Sequence, residues 1–118
     1  MRFATLTAAA LLFVACGATP AATLTPPAGT IPIYAQGTAF TTQHVAVPAN
    51  APFTIWFDNM DSELHNVHIT DAAGQNLLIG QTFVGPAAKT EQVQALTPGT
   101  YTFKCDIHPQ MTGQLVAQ

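Results

Sequence analysis

The sequence predicts an all-β protein, a Greek-key β-sandwich of about seven to eight strands, and three observations carry that expectation. Short apolar segments with period-two alternation recur along the chain. Turn signals built from Gly, Pro, Asp and Asn separate them at intervals of roughly 8 to 12 residues. No long stretch has the periodicity of an amphipathic helix, and no internal repeat is present. A chain of 118 residues suffices for one such domain.

The elements follow in order. Residues 31–35 form a first strand, and residues 40–47 a second in which Val45 and Val47 share a face and His44 points to the surface. Residues 53–57 are rich in aromatic and β-branched side chains, bounded by Pro52 on one side and Asp58 and Asn59 on the other. Trp56 and Phe57 belong there to the core and its flank. Residues 65–70 alternate His65, Val67 and Ile69 with Asn66, His68 and Thr70. That parity puts His65 on the buried face and His68 in solvent. After a turn over residues 71–74, residues 76–80 and 81–84 are extended with a weaker pattern, and Gly85 and Pro86 turn the chain. Residues 90–96 alternate again. Pro98 and Gly99 lead into residues 100–105, where Tyr101, Phe103 and Cys105 face inward, and Leu115 and Val116 begin a closing strand.

Cys105, His108 and Met111 fall within seven residues of one another, at the end of one strand and before the next. A thiolate, an imidazole and a thioether are soft and borderline donors, and together they favour copper. Pro109 has no amide hydrogen and restricts His108 to extended or turn geometry, so a tight loop must follow, ending at Gly113. Such a loop between neighbouring strands aims three side chains at one point. A blue-copper site needs a second histidine from elsewhere, and His65 is the candidate. Taken singly, a Cys in an apolar strand is a small core residue, a strand His a surface residue and a Met a packing residue. The joint spacing favours the metal.

With these residues in hand, the pattern of Tyr101, Phe103, Cys105, His108 and Met111, together with His65-Asn66-Val67, resembles the cupredoxins of the plastocyanin and amicyanin kind. The resemblance runs from about residue 30 to the C-terminus. It implies one type 1 copper ion with His65, Cys105 and His108 in the trigonal plane and Met111 axial. It also implies that Asn66 hydrogen-bonds across to the cysteine loop, where Asp106 stands in place of the Ser or Thr that many members carry. The implied function is one-electron transfer, cycling Cu(II) and Cu(I), with the ring edge of His108 as the port to a redox protein such as a cytochrome, dehydrogenase or oxidase. Met60, Phe83, Pro86 and Pro109 are candidates for apolar contact around that port. Catalysis by this chain is not expected: a binuclear CuA centre needs two bridging cysteines, and copper oxidases and nitrite reductases place further histidines beside the type 1 Cys, whereas Lys104 and Asp106 flank it here. Two alternatives use the same residues differently. One is a copper-binding or delivery lipoprotein, and the other a structural β-sandwich module in which the Cys and His are coincidental.

Residues 1–16 read as a signal peptide, with Arg2 ahead of an apolar run too short to span a membrane. Phe13-Val14-Ala15-Cys16 resembles a bacterial lipobox, in which Cys16 becomes the lipidated first residue. The alternative is ordinary cleavage between residues 18 and 22. Residues 17–29 form a Pro/Thr/Ala-rich extended linker, and residues 30–118 the domain. The expected location is the periplasm or cell surface, membrane-associated only through that lipid, as a monomer. Cys16 at a processing site is a poor disulfide partner, which leaves Cys105 as a free thiol in an oxidising compartment that metal ligation protects. The formal net charge is -3. No basic patch exists, so nucleic acid is excluded as a partner. Asp58, Asp61 and Glu63 cluster before His65, where they either steer a cationic partner or solvate a loop.

Overall fold

Alternating apolar residues bury one face of each strand, and ten strands result among the residues that the computed structural model describes, 16–17 and 23–118. They are β1 (Ile31–Ala35), β2 (His44–Val47), β3 (Phe53–Asn59), β4 (Leu64–His65), β5 (His68–Thr70), β6 (Asn76–Ile79), β7 (Phe83–Val84), β8 (Ala87–Val93), β9 (Gly99–Lys104) and β10 (Thr112–Ala117). The expected signal segment up to residue 15 and linker residues 18–22 lie outside the described residues.

The strands form a three-stranded sheet in the order β1-β3-β8, a five-stranded sheet in the order β2-β10-β9-β5-β6, and the small pair β4-β7. β1 runs parallel to β3 and β2 parallel to β10, while the remaining pairs are antiparallel. Parallel neighbours cannot be joined by a hairpin. The chain therefore alternates between sheets, β1 in one, β2 in the other and β3 back beside β1, and this is the crossing that makes the sandwich a Greek key.

Between the two larger sheets lie Ile33, Ile55, Phe57 and Val93 from one side and Val47, Ile69, Phe103 and Leu115 from the other, all buried. Phe40 joins them, with its ring centroid 5.0 Å from Phe103 and 6.1 Å from Phe57, and Phe57 meets Phe83 at 5.5 Å. All three contacts are edge-on, the arrangement the ring quadrupole favours, at about 0.5–1.5 kcal/mol each beyond area burial. Trp56 points the other way on β3 and is buried on the sheet's flank against Tyr34, 5.7 Å away. Gly113 sits opposite Phe103 across β9 and β10, and any Cβ there would run into the Phe103 ring.

β3 runs on through Asp58 to Asn59, past the expected end at residue 57, and three further departures from expectation bear on the site. The second strand starts at His44 rather than at residue 40, because Phe40 instead bridges back to Ala35 and Thr41 donates its amide to Tyr34. β8 occupies Ala87–Val93 rather than residues 90–96, since its full register with β3 pairs Ala87 with Asn59 and Val93 with Phe53. Most consequential, residues 65–70 are not one strand. β4 pairs with β7 in the small sheet, whereas β5 lies between β9 and β6 in the large one, and the chain turns from one to the other at Asn66 and Val67.

Candidate metal centre

The site is built on four pieces of chain at one end of the sandwich. β9 delivers Cys105 just past its last residue, and the loop to β10 is short enough to close on itself: the Cys105 amide donates to the Met111 carbonyl at 3.0 Å and the Met111 amide to the His108 carbonyl at 2.9 Å. β4 delivers His65, held in place by its pairing with Phe83. Behind β4, the fully buried Asn59 at the end of β3 donates its side-chain amide to the carbonyls of Glu63 and Phe83, each at 2.9 Å, and accepts the Asp61 amide at 3.0 Å. One side chain thereby shapes the turn that carries His65.

Nδ1 of His65 lies 3.1 Å from Nδ1 of His108, and Sγ of Cys105 lies 3.8 Å from the first and 3.9 Å from the second. These atoms form a metal-capable triad, with His65 and Cys105 buried and His108 half-buried. Bonds from imidazole nitrogen and thiolate to a first-row metal run about 2.0–2.3 Å, so donors sharing one ion sit roughly 3–4 Å apart, as these do. Met111 is buried at 1% exposure and belongs to the same core cluster as Cys105. The donor chemistry, two imidazoles and a thiolate with a thioether on the same loop, fits type 1 copper.

The tautomer of His65 is set from behind. Its Nε2 donates to Oδ2 of Asp61 at 2.9 Å, which leaves Nδ1 free of hydrogen and turned toward Cys105 and His108. Asp61 also accepts the amides of Gly37 at 2.8 Å and Thr38 at 3.0 Å, tying the β1–β2 loop to the site. Burial pushes the Asp61 carboxyl up, but the hydrogen bonds from Thr38, Gly37 and His65 outweigh it and hold the group below its ordinary value. This corrects the expectation that Asp58, Asp61 and Glu63 act together as a steering or solvating cluster. Asp58 is buried on the sheet's flank, Asp61 is committed to His65, and Glu63 alone of the three is exposed.

Asn66 reaches the cysteine loop. Its Oδ1 accepts the Asp106 amide at 2.9 Å, and its Nδ2 donates to Oδ2 of Asp106 at 2.8 Å. The carboxylate at position 106 therefore keeps a cross-loop bond and adds a second one. His68 corrects the parity expectation. It is 7% exposed rather than solvent-facing, with Nδ1 donating to Oδ1 of Asp106 at 2.7 Å. The hydrogen bond from His68 is the main cause that holds the Asp106 carboxyl below its ordinary value, ahead of opposing burial and the bond from Asn66. His44, by contrast, is exposed as expected.

No local pattern in the sequence announces the role of Asn59, the Asp61 bond to His65 or the burial of His68. The spacing of Asp61 four residues before His65 becomes a usable signal only once the intervening turn is known. Among the expected contact residues of the port, Met60, Pro86 and Pro109 are exposed, but Phe83 is buried against Phe57.

Residues 5–117 match the family model of the Cupredoxin-like domain. Amicyanin-alpha of Methylorubrum extorquens is 29% identical over 95 residues, covering 78% of this chain and 75% of that protein. Among solved structures, amicyanin from Paracoccus versutus superposes with a TM-score of 0.62 at 20% identity, covering 79% of this chain and 85% of that one. Dithionite-reduced auracyanin from Roseiflexus castenholzii gives 0.66 at 20% identity, over 79% and 99% respectively. These structural likenesses establish the shared sandwich.

Proposed function

This chain belongs to the cupredoxin-like domain family, and from that premise we propose that it is a one-electron carrier, holding one type 1 copper ion and cycling it between Cu(II) and Cu(I) outside the cytoplasm. The observation that carries the reading is the convergence of two imidazole nitrogens and one thiolate, pre-arranged by hydrogen bonds to the fold. Copper, when bound, supplies the one-electron couple. The chain holds its donors still: His65, Cys105 and His108 hold the ion, and Met111 offers a weak thioether from the core. Asp61 fixes the ring of His65 and Asn66 fixes the peptide after Cys105. Donors anchored to the end of β9 and to the β4–β7 pair by hydrogen bonds move little between oxidation states, which keeps the reorganisation on electron transfer small.

A carrier rather than a copper enzyme suits the flanks of the ligand cysteine, where Lys104 and Asp106 stand instead of further histidines. The port is the half-buried His108, framed by Ile107 at 47% exposure and Pro109, with Met60 at 41%, Leu64 at 44% and Val84 at 53% on the exposed surface of the neighbouring segments. An apolar rim suits brief docking of a redox protein, a cytochrome, dehydrogenase or oxidase. Export and a lipid on Cys16 complete the proposal; among the described residues no helix is long and apolar enough to cross a membrane. β1 pairs Ile31 with Ile55 and Ala35 with Asn59, so its last residue is the one nearest the turn that carries His65.

Copper retention separates this role from delivery. A carrier gives a reversible one-electron wave in voltammetry and loses copper slowly to a chelator, whereas a rapid loss of copper with no reversible wave contradicts the carrier.

A further inference from the structure

His68 is the part of the His65-Asn66-Val67-His68 motif that the proposed centre leaves unused, and it sits at a junction. Nδ1 donates to Oδ1 of Asp106 in the ligand loop at 2.7 Å, and Nε2 lies 2.7 Å from Oδ1 of Asn76 at the start of β6. The second oxygen of Asp106 accepts from Asn66, whose own oxygen accepts the Asp106 amide. Asp106 has 37% of its side chain exposed, and a loop carboxylate of that exposure ordinarily samples many rotamers in water. Here it is fastened by a side chain of β5 that is only 8% exposed and is itself fastened to β6. Burying an imidazole between strands carries a desolvation cost that an apolar residue avoids, and each ring nitrogen here faces an oxygen on a different segment.

We propose that His68 is a positioning residue for the redox site: with Asn76 behind it, it locks the Asp106 side chain, and through Asp106 and Asn66 it fixes the peptide after Cys105 and the direction of the thiolate. The inference rests on the reading of Cys105 as a copper ligand for its functional meaning, but the brace itself is a property of the metal-free chain. A histidine that merely fills space would leave the Asp106 amide indifferent to its loss. A brace links the two.

The test is hydrogen exchange at the Asp106 amide in metal-free protein by NMR, for the wild type, His68→Leu, Asp106→Ala, their combination and Asp106→Asn. Each of the first two variants is expected to speed exchange about tenfold, the double variant to do no more than either, and Asp106→Asn, which keeps an oxygen for His68, to recover most of the protection. After copper loading, His68→Leu is expected to slow electron self-exchange several-fold. Wild-type exchange at Asp106 in His68→Leu overturns the proposal. Should His68→Leu fail to fold, Asp106→Ala decides alone: the side-chain amide protons of Asn66 must then exchange faster, and unchanged protection there overturns it. A wild type that shows no type 1 copper spectrum defeats the carrier reading instead, and the metal-free exchange rates still decide whether the brace exists.

Discussion

At position 61 one carboxylate takes three donors, the amides of Gly37 and Thr38 and the ring of His65, and the order of these tasks is readable in its chemistry. The amides place the carboxylate, and the carboxylate places the ring and supplies negative charge behind it. A charge in that position favours the more positive metal state. Asp61→Asn, which keeps the shape and removes the charge, should therefore raise the reduction potential in voltammetry. An unchanged potential would mean that Asp61 only orients the ring. Asp58, two residues beyond Trp56 on the same outer face of β3, behaves oppositely. Burial is what raises its carboxyl above the ordinary value. A carboxyl raised by folding is stabilised in its neutral form, so ionisation opposes the fold: the penalty is absent below the unfolded value of about 4, grows as pH rises toward the folded value, and is constant above it. Asp58→Asn should thus match or exceed the wild type in urea midpoint at pH 7, with the gain disappearing near pH 3. A variant less stable than wild type at pH 7 would show that the carboxylate has a favourable partner.

Among the elements, β9 and β10 are the ones whose register the site depends on, because Thr112 pairs with Lys104 at the mouth of the ligand loop. Gly113 keeps that pairing close by leaving room for the buried Phe103 ring. Gly113→Ala should destabilise the domain by about 1–3 kcal/mol through overpacking, seen as a lower urea midpoint, and a wild-type midpoint would show that Phe103 can move aside. β1 and β9 are legible in the sequence because each keeps one face on the core along its whole length, so alternation and burial coincide. Residues 65–70 are not. Alternation assigns faces only within one continuous strand, and this segment changes sheets at Asn66 and Val67, so that all six of its residues are buried. His65 comes out inside on either path; His68 does not. The ligand loop is legible because Cys105, His108 and Met111 are close in sequence, while Asn59 and Asp61 act through a turn and a β1–β2 loop whose approach no local pattern encodes.

For the molecule as a whole, the ten strands gather His65, Cys105 and His108 at one end of the sandwich. Such an arrangement suits the proposed electron carrier: a fixed site with the half-buried His108 on its solvent side. The sandwich class, the Greek-key crossing and the sparse charge follow from strand spacing and composition, whereas the separate small sheet of β4 and β7 that carries His65 consists of two-residue strands too short to show a period. Everything functional converges on whether the Cys105 thiolate binds copper in this arrangement. The most direct measurement is the visible and electron paramagnetic resonance spectrum of the protein with Cu(II), beside Cys105→Ser. An intense blue thiolate-to-copper band with narrow copper hyperfine splitting, lost in the variant, is the predicted result; a pale spectrum of ordinary copper, the same with and without Cys105, would contradict a type 1 site and the electron carrier built on it.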